Sequence, residues 1–162
     1  MAPRQHMRKM KVGKVTFTEA YKAVNEYRRK FPEKAVTFYA QNYPAMGWAV
    51  FMAGGSCPVI PCKDKAFLKD AAVMEVEETD SEDYKKMVKS GIGSIIYSNS
   101  GVEVPVQLSS GRYILRYIHP DSGEMEVISK SLKINNVYTL KVPDGKEGVY
   151  CCLLYTSDAA DE

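Results

Sequence analysis

The chain has 162 residues, of which 45% are hydrophobic and 26% are charged, and its formal net charge is +2. This composition is ordinary for a folded chain of one domain, or of one small domain with a further piece attached. The longest apolar run, residues 48–53, is far shorter than the roughly 20 residues that a membrane span needs. The basic residues are dispersed and form no Arg-rich aromatic motif, which argues against nucleic acid binding.

The cysteines and histidines offer little for a metal ion. Cys57 and Cys62 flank a short proline-containing loop, Cys151 and Cys152 are adjacent, and no CxxC pair occurs. Both histidines lie far from these pairs in the sequence, so we expect neither a metal site nor a cofactor. A Cys57–Cys62 disulfide could form in an oxidising compartment. Two separate thiols that act as small hydrophobes are the simpler interpretation.

Residues 14–31 are predicted to form the first helix. Thr16 and Glu19 have the spacing of a capping box, in which each side chain satisfies a free backbone donor at the start of a helix. Pro32 ends the pattern. Apolar residues recur at steps of four, three and four, which predicts one buried stripe on this helix. The members of the stripe are Ala20, Val24, Tyr27 and Phe31.

A short strand and a buried helix are predicted next. Residues 35–40 form a continuous apolar run, as expected for a strand that is covered on both faces in a parallel sheet. Pro44 stands where the first turn of a helix tolerates proline, residues 45–53 are apolar nearly all round, and Gly54 and Gly55 end the pattern. Helix, strand, helix with a two-sided strand indicates an α/β layer or barrel.

The second half of the chain has the pattern of short antiparallel strands. Tyr113, Leu115 and Tyr117 alternate with the residues between them, as on a strand with two distinct faces. Turn residues cluster at 99–101, 119–124 and 143–148, which we interpret as hairpin turns. The pattern predicts a small β-sandwich. Its six candidate strands are residues 94–98, 102–108, 111–118, 123–133, 136–143 and 148–154.

Two stretches carry a likeness to a known group of enzymes. Residues 43–61, YPAMGWAVFMAGGSCPVIP, resemble a signature near the end of the catalytic barrel in glycoside hydrolase-like proteins that are common in gut Bacteroidetes. Residues 91–151 resemble the β-sandwich that follows such barrels, a module type named for collagen binding. Its usual hairpin pattern, Y-x-P-x-x-G, corresponds to residues 117–123, with His119 as an additional residue.

The resemblance implies a domain organisation. Residues 1–70 would be the incomplete C-terminal end of a (β/α)₈ barrel, residues 71–90 a charged connector, and residues 91–151 an accessory β-sandwich. We therefore expect an α+β chain that is part of a larger protein. Residues 152–162, CLLYTSDAADE, resemble a translated sequencing-library adapter and are expected not to belong to the native sequence.

The resemblance also implies a function for the parent protein. Such barrels hydrolyse sugars with two carboxylates at the carboxyl ends of their strands. Those strands would precede this chain, so we assign no catalytic residue here and expect the chain alone to be inactive. A polysaccharide or oligosaccharide partner and an exported parent, periplasmic or secreted, are implied. The alternative is a β-sandwich that binds carbohydrate or matrix protein without an enzymatic role.

The substrate-contacting candidates follow the predicted strand 35–40. Gln41, Asn42 and Tyr43 would stand at its carboxyl end and could face a sugar in the parent protein. Asn42 could instead cap the helix that begins at Pro44. Trp48 could be a platform for a sugar ring, but inside an apolar helix it is better explained as core.

Three further features have a plain structural explanation beside a functional one. Tyr113 and Tyr117 could stack on sugar rings, although aromatic residues on one face of a small sandwich usually belong to its core. Residues 54–56, GGS, could bind an anion only if they preceded a helix, so helix termination is the better account. His119 is expected to be solvated at a hairpin tip.

Overall fold

Three helices and two antiparallel sheets make up the computed structural model, which describes residues 15–38 and 45–155. The helices are α1 (Phe17–Lys30), α2 (Ala45–Met52) and α3 (Lys65–Ala71). The strands are β1 (Glu75–Glu77), β2 (Tyr84–Lys89), β3 (Gly93–Ser98), β4 (Glu103–Gln107), β5 (Gly111–Ile118), β6 (Met125–Ile134), β7 (Val137–Lys141) and β8 (Gly148–Leu154). The chain is therefore α+β. None of the helices in these ranges is long and apolar enough to cross a membrane.

The larger sheet lies between two layers. Its strand order is β1-β2-β3-β8-β5-β6, and the smaller sheet pairs β4 with β7. Because side chains alternate along a strand, Ile95 and Cys151 pack against the helices, whereas Ile96 and Cys152 pack against the smaller sheet. The helices thus cover one face of the larger sheet and the smaller sheet covers the other.

Helix α1 begins as its sequence predicts. Glu19 N–H donates to the Thr16 hydroxyl at 3.2 Å and Thr16 N–H donates to the Glu19 carboxylate at 2.9 Å, so the capping box is complete. The predicted stripe is only half buried. Ala20 and Val24 lie in the core, but Tyr27 and Phe31 are 39% and 38% exposed and stack on each other.

Helix α2 ends in a Schellman motif. Gly54 has φ of +67°, its N–H donates to Phe51 O, and Gly55 N–H donates to Val50 O. The Arg28 guanidinium donates to Ala53 O at 3.0 Å, which satisfies another carbonyl at this end of the helix. Helix termination is therefore what these two glycines provide, as the sequence predicts.

The predicted strand at residues 35–40 is wrong for the part that the structure describes. Residues 35–38 form no strand, and residues 39–40 lie outside the described ranges. Val36 O accepts from Ser56 N–H at 2.7 Å, and Val36 N–H donates to the Ser56 hydroxyl at 3.2 Å. The loop after α2 thus satisfies this backbone, and Val36 and Phe38 pack on the edge of the helical core. No parallel sheet occurs among the described residues.

The charged segment at residues 71–90 is part of the larger sheet and not only a connector. It contains β1 and β2, which pair antiparallel with each other, and β2 pairs with β3. The high charge of this segment suggested a connector, but its charged side chains form salt bridges with one another across the two strands. Glu77 pairs with Lys86, which stands directly opposite, and Glu75 pairs with Lys89, which stands one residue beyond its register partner.

The six strands predicted in the second half are all present. Residues 119–124 form the expected hairpin between β5 and β6, with His119 N–H donating to Glu124 O at 2.9 Å. The other two turns are not hairpins. Residues 99–101 and 143–148 carry the chain from one sheet to the other. Turn residues mark a reversal but do not specify which strands pair after it.

The last strand includes residues from the stretch that resembles an adapter. Cys152 and Leu153 are buried in β8, which lies between β3 and β5 in the larger sheet. Residues 156–162 lie outside the described ranges. Whatever their origin, residues 152–154 complete a central strand here.

Candidate functional site

The candidates for sugar contact that the structure describes are buried. Gln41, Asn42 and Tyr43 lie outside the described residues. Trp48 has no exposed surface, and Tyr113 and Tyr117 are 2% and 5% exposed. None of these three rings can serve as a stacking platform, so the core interpretation of each is confirmed.

Trp48 instead joins the helices to the β5–β6 hairpin. Its indole Nε1–H donates to Pro120 O at 2.8 Å, across 72 residues of sequence. A buried indole needs such a partner because burial removes the hydrogen bond that its N–H would make to water. This hydrogen bond thus joins the GWA stretch of α2, residues 47–49, to the hairpin stretch at residues 117–123.

Gly123 allows the hairpin to pack closely against the loop that follows α2. It has φ of +74°, and a Cβ there would lie 2.6 Å from the carbonyl carbon of Pro61. Only glycine lets the hairpin backbone approach the Pro61–Cys62 backbone in this way. A second close approach lies under α2, where a Cβ on Gly47 would lie 1.7 Å from Val59 O. The segment after α2 is therefore held between that helix and the hairpin.

Two acidic residues that follow α3 form salt bridges with lysines. Glu82 binds Lys22 at 2.8 Å and Glu75 binds Lys89 at 2.7 Å. In both cases the lysine lowers the pKa of the carboxyl group, first by its hydrogen bond and then by its charge. A general acid of a glycosidase needs the opposite shift. Neither carboxylate is therefore suited to that role.

A buried pair of polar side chains lies between α1 and β2. Tyr21 is 4% exposed and its hydroxyl has no hydrogen-bond partner, while Lys85 is 5% exposed. The Lys85 ammonium lies 4.9 Å from the centre of the Tyr21 ring and donates to Ser81 O. Burial lowers the pKa of Lys85 and, helped by Glu78, raises that of Tyr21 to about 12. This cation–π contact joins α1 to β2.

The cysteines are four separate thiols. Cys57 is exposed, whereas the other three are buried. Burial raises the pKa of Cys62, Cys151 and Cys152, so these thiols are poor nucleophiles near neutral pH. Within residues 15–38 and 45–155, no group of three or more His, Cys, Asp or Glu side chains could hold a metal ion.

A half-open cleft lies beside the helices. Its volume is about 810 Å³, and it lies between α1 and α3 above β1 and β2. We call it the junction cleft. The polar side chains in its wall are Asn25, Arg28, Arg29, Glu75 and Glu78. Sequence reasoning missed it because its residues come from several separate elements and share no linear pattern.

Comparisons with known proteins find only partial or distant similarity to this chain. A family model described as a domain of unknown function, DUF6298, matches residues 1–74. No curated protein matches this chain. A solved structure named "Glycoside hydrolase" is 14% identical, with a TM-score of 0.37, and the match covers 50% of this chain and 20% of that chain. A likeness at this level assigns neither a fold nor an activity.

Proposed function

We propose that this chain is the C-terminal part of a glycoside hydrolase-like, carbohydrate-active protein. In this proposal the helices belong to the end of the catalytic barrel, and the strands form an accessory sandwich that braces it. The chain alone is not catalytically competent, because the catalytic carboxylates would come from elements that precede it.

One observation carries the proposal. Two residues within the stretches by which the chain resembles that group, Trp48 and Gly123, join the helical part to the sandwich. Trp48 donates to Pro120 O of the β5–β6 hairpin, and Gly123 of the hairpin lets that hairpin approach the Pro61–Cys62 backbone after α2, where a Cβ would clash. One continuous core contains α2 side chains together with Met87, Ile95 and Val149 of the sheet. A signature that specifies an interface is expected of a bracing module.

The alternative, a carbohydrate- or matrix-binding sandwich, lacks support from the sheet faces. The central strands β3 and β8 of the larger sheet are buried on both faces, and Tyr113 and Tyr117 donate their hydroxyl protons to backbone carbonyls inside the module. Gln41, Asn42 and Tyr43 remain our proposed sugar contacts in the complete protein. Their replacement by alanine there should raise KM for the substrate.

The test uses this chain and the protein encoded by the complete reading frame around it. The longer protein should hydrolyse members of a chromogenic glycoside panel, and this chain should hydrolyse none. In the longer protein, Trp48→Phe should lower the thermal unfolding midpoint and the inactivation midpoint together. Hydrolysis by this chain alone, or a Trp48→Phe enzyme with unchanged midpoints, would contradict the proposal.

A further inference from the structure

The junction cleft has the dimensions of a ligand site. Its volume of about 810 Å³ lies within the range of roughly 300–1,000 Å³ that is common for small-molecule pockets. One wall is the C-terminal half of α1 and the opposite wall is α3. The end of α2 closes the back. The cleft is therefore built from regular elements that the shared core holds in place.

Hydrogen bonds within the protein orient the polar side chains of the cleft, and these side chains retain further donors and acceptors. Asn25 Nδ2 donates to both carboxylate oxygens of Glu78 at 3.2 Å, which leaves the Asn25 amide oxygen and further lone pairs of Glu78 unoccupied by that contact. Arg28 uses one guanidinium N–H on Ala53 O, out of the five that it carries. Such side chains lose little further entropy when a ligand arrives.

The rest of the cleft is apolar. Pro32 of the loop after α1, Ile60 of the loop after α2 and Leu68 of α3 all line it, and Leu68 is 38% exposed. The cleft thus sets planar amide, guanidinium and carboxylate groups opposite a surface of aliphatic carbon. A pyranose ring has matching surfaces, because its hydroxyls lie around the rim and its C–H groups on the faces.

We propose that the junction cleft binds a neutral oligosaccharide. The choice of sugar as the ligand class rests on the proposed function, and the choice of a neutral one rests on the charges. The lining contains two arginines, Arg28 and Arg29, and two glutamates, Glu75 and Glu78. Because charges of both signs stand in this lining, an anionic and a cationic ligand would each meet a like charge, whereas hydroxyl groups can both donate to Glu78 and accept from Arg28.

The residues that line the junction cleft are different from the sugar contacts that we propose near the chemistry. Gln41, Asn42 and Tyr43 shortly precede α2, whereas Gly54 and Gly55 at its other end line the cleft. The eight residues of α2 span about 12 Å. In this proposal the cleft anchors the chain of sugars and does not cleave it.

The test is a titration of the purified chain, followed by methyl NMR, with cellotetraose, xylotetraose and mannotetraose. At least one of them should shift the Leu68 and Ile60 methyl signals in a saturable manner. The variants Leu68→Arg, which fills the cleft, and Arg29→Ala, which removes an exposed donor, should weaken binding by about tenfold or more. Val137→Arg, at a site 65% exposed on β7, is the matched control and should bind as before.

Two results would overturn the cleft assignment. One is the absence of any shift at about 10 mM sugar, where a site with a Kd near 1 mM is about nine-tenths occupied. The other is binding that Leu68→Arg leaves unchanged, since the sugar would then lie elsewhere. Neither result touches the proposed function, which is judged by hydrolysis and by the Trp48→Phe midpoints in the longer protein.

Discussion

The hydrogen bond from Trp48 to the hairpin lets us predict how the whole molecule unfolds. Trp48→Phe removes the Nε1–H donor that binds Pro120 O at 2.8 Å and leaves a smaller ring in a site with no exposed surface. Because that bond joins the helices to the sandwich, its loss should weaken one shared core. We expect a single unfolding transition, and Trp48→Phe should shift its midpoint to a lower urea concentration.

The expected cost follows from two contributions. Loss of a buried hydrogen bond that leaves its acceptor without a partner costs about 1–2 kcal/mol. Replacing a buried indole by a phenyl ring leaves a void, and we expect this to cost roughly half of the ~3–5 kcal/mol seen for complete truncation to alanine. The sum is about 3 kcal/mol, a large share of the ~5–15 kcal/mol that stabilises a typical domain.

Urea unfolding measures this cost. Trp48 is the only tryptophan, so its fluorescence reports on the helix–hairpin contact in the unsubstituted chain, and far-UV circular dichroism reports on both chains. Phe67→Leu is the matched control, because Phe67 is equally buried on α3 but its side chain donates no hydrogen bond. Amide exchange of His119, whose N–H binds Glu124 O, should accelerate with Trp48→Phe more than with the control.

Two outcomes would refute this reasoning. A loss below about 1 kcal/mol would mean that the bond and the packing around Trp48 contribute little. Separate fluorescence and circular dichroism transitions in the unsubstituted chain would mean that the helices and the sandwich unfold independently, so that the core is not shared.

Three further predictions concern single positions. Gly47→Ala should destabilise the chain by about 3 kcal/mol in thermal unfolding, because its Cβ would lie 1.7 Å from Val59 O; an unchanged midpoint would refute the close approach. Cys57→Gly should stabilise it by about 0.5–1 kcal/mol, since Cys57 has φ of 51°, and a lowered midpoint would contradict that. Burial raises the pKa of Tyr21 and Tyr150 from 10.0 to about 12. Their contribution to stability should be complete below pH 10 and lost as pH rises towards 12, with unfolding and tyrosinate absorbance increasing together; tyrosinate formation before unfolding would contradict it.

Local signals in the sequence predicted many elements correctly. The Thr16–Glu19 capping box and the Gly54 helix end depend on backbone donors and acceptors within a few residues, so neighbouring residues suffice to specify them. The alternation around Tyr113 and Tyr117 predicted their shared buried face, because a pleated strand imposes that period whatever it pairs with.

Other expectations failed where the outcome depended on distant residues. The apolar run at residues 35–40 fits a strand, yet Val36 finds its hydrogen-bond partners in Ser56 and not in another strand. Residues 71–90 were expected to form a charged connector, but within them Lys86 is only 7% exposed because Glu77 and Pro105 O bind its ammonium group.

The sequence by itself determined the start of α1, the end of α2 and the six strands of the second half, because these depend on local hydrogen bonding and on the period of apolar residues. Only the tertiary structure decided which strands pair, that the helices and the larger sheet share one core, and that a cleft forms between α1 and α3. The physical reason is that these features arise where surfaces far apart in the chain meet, and no local pattern records which surface will be met.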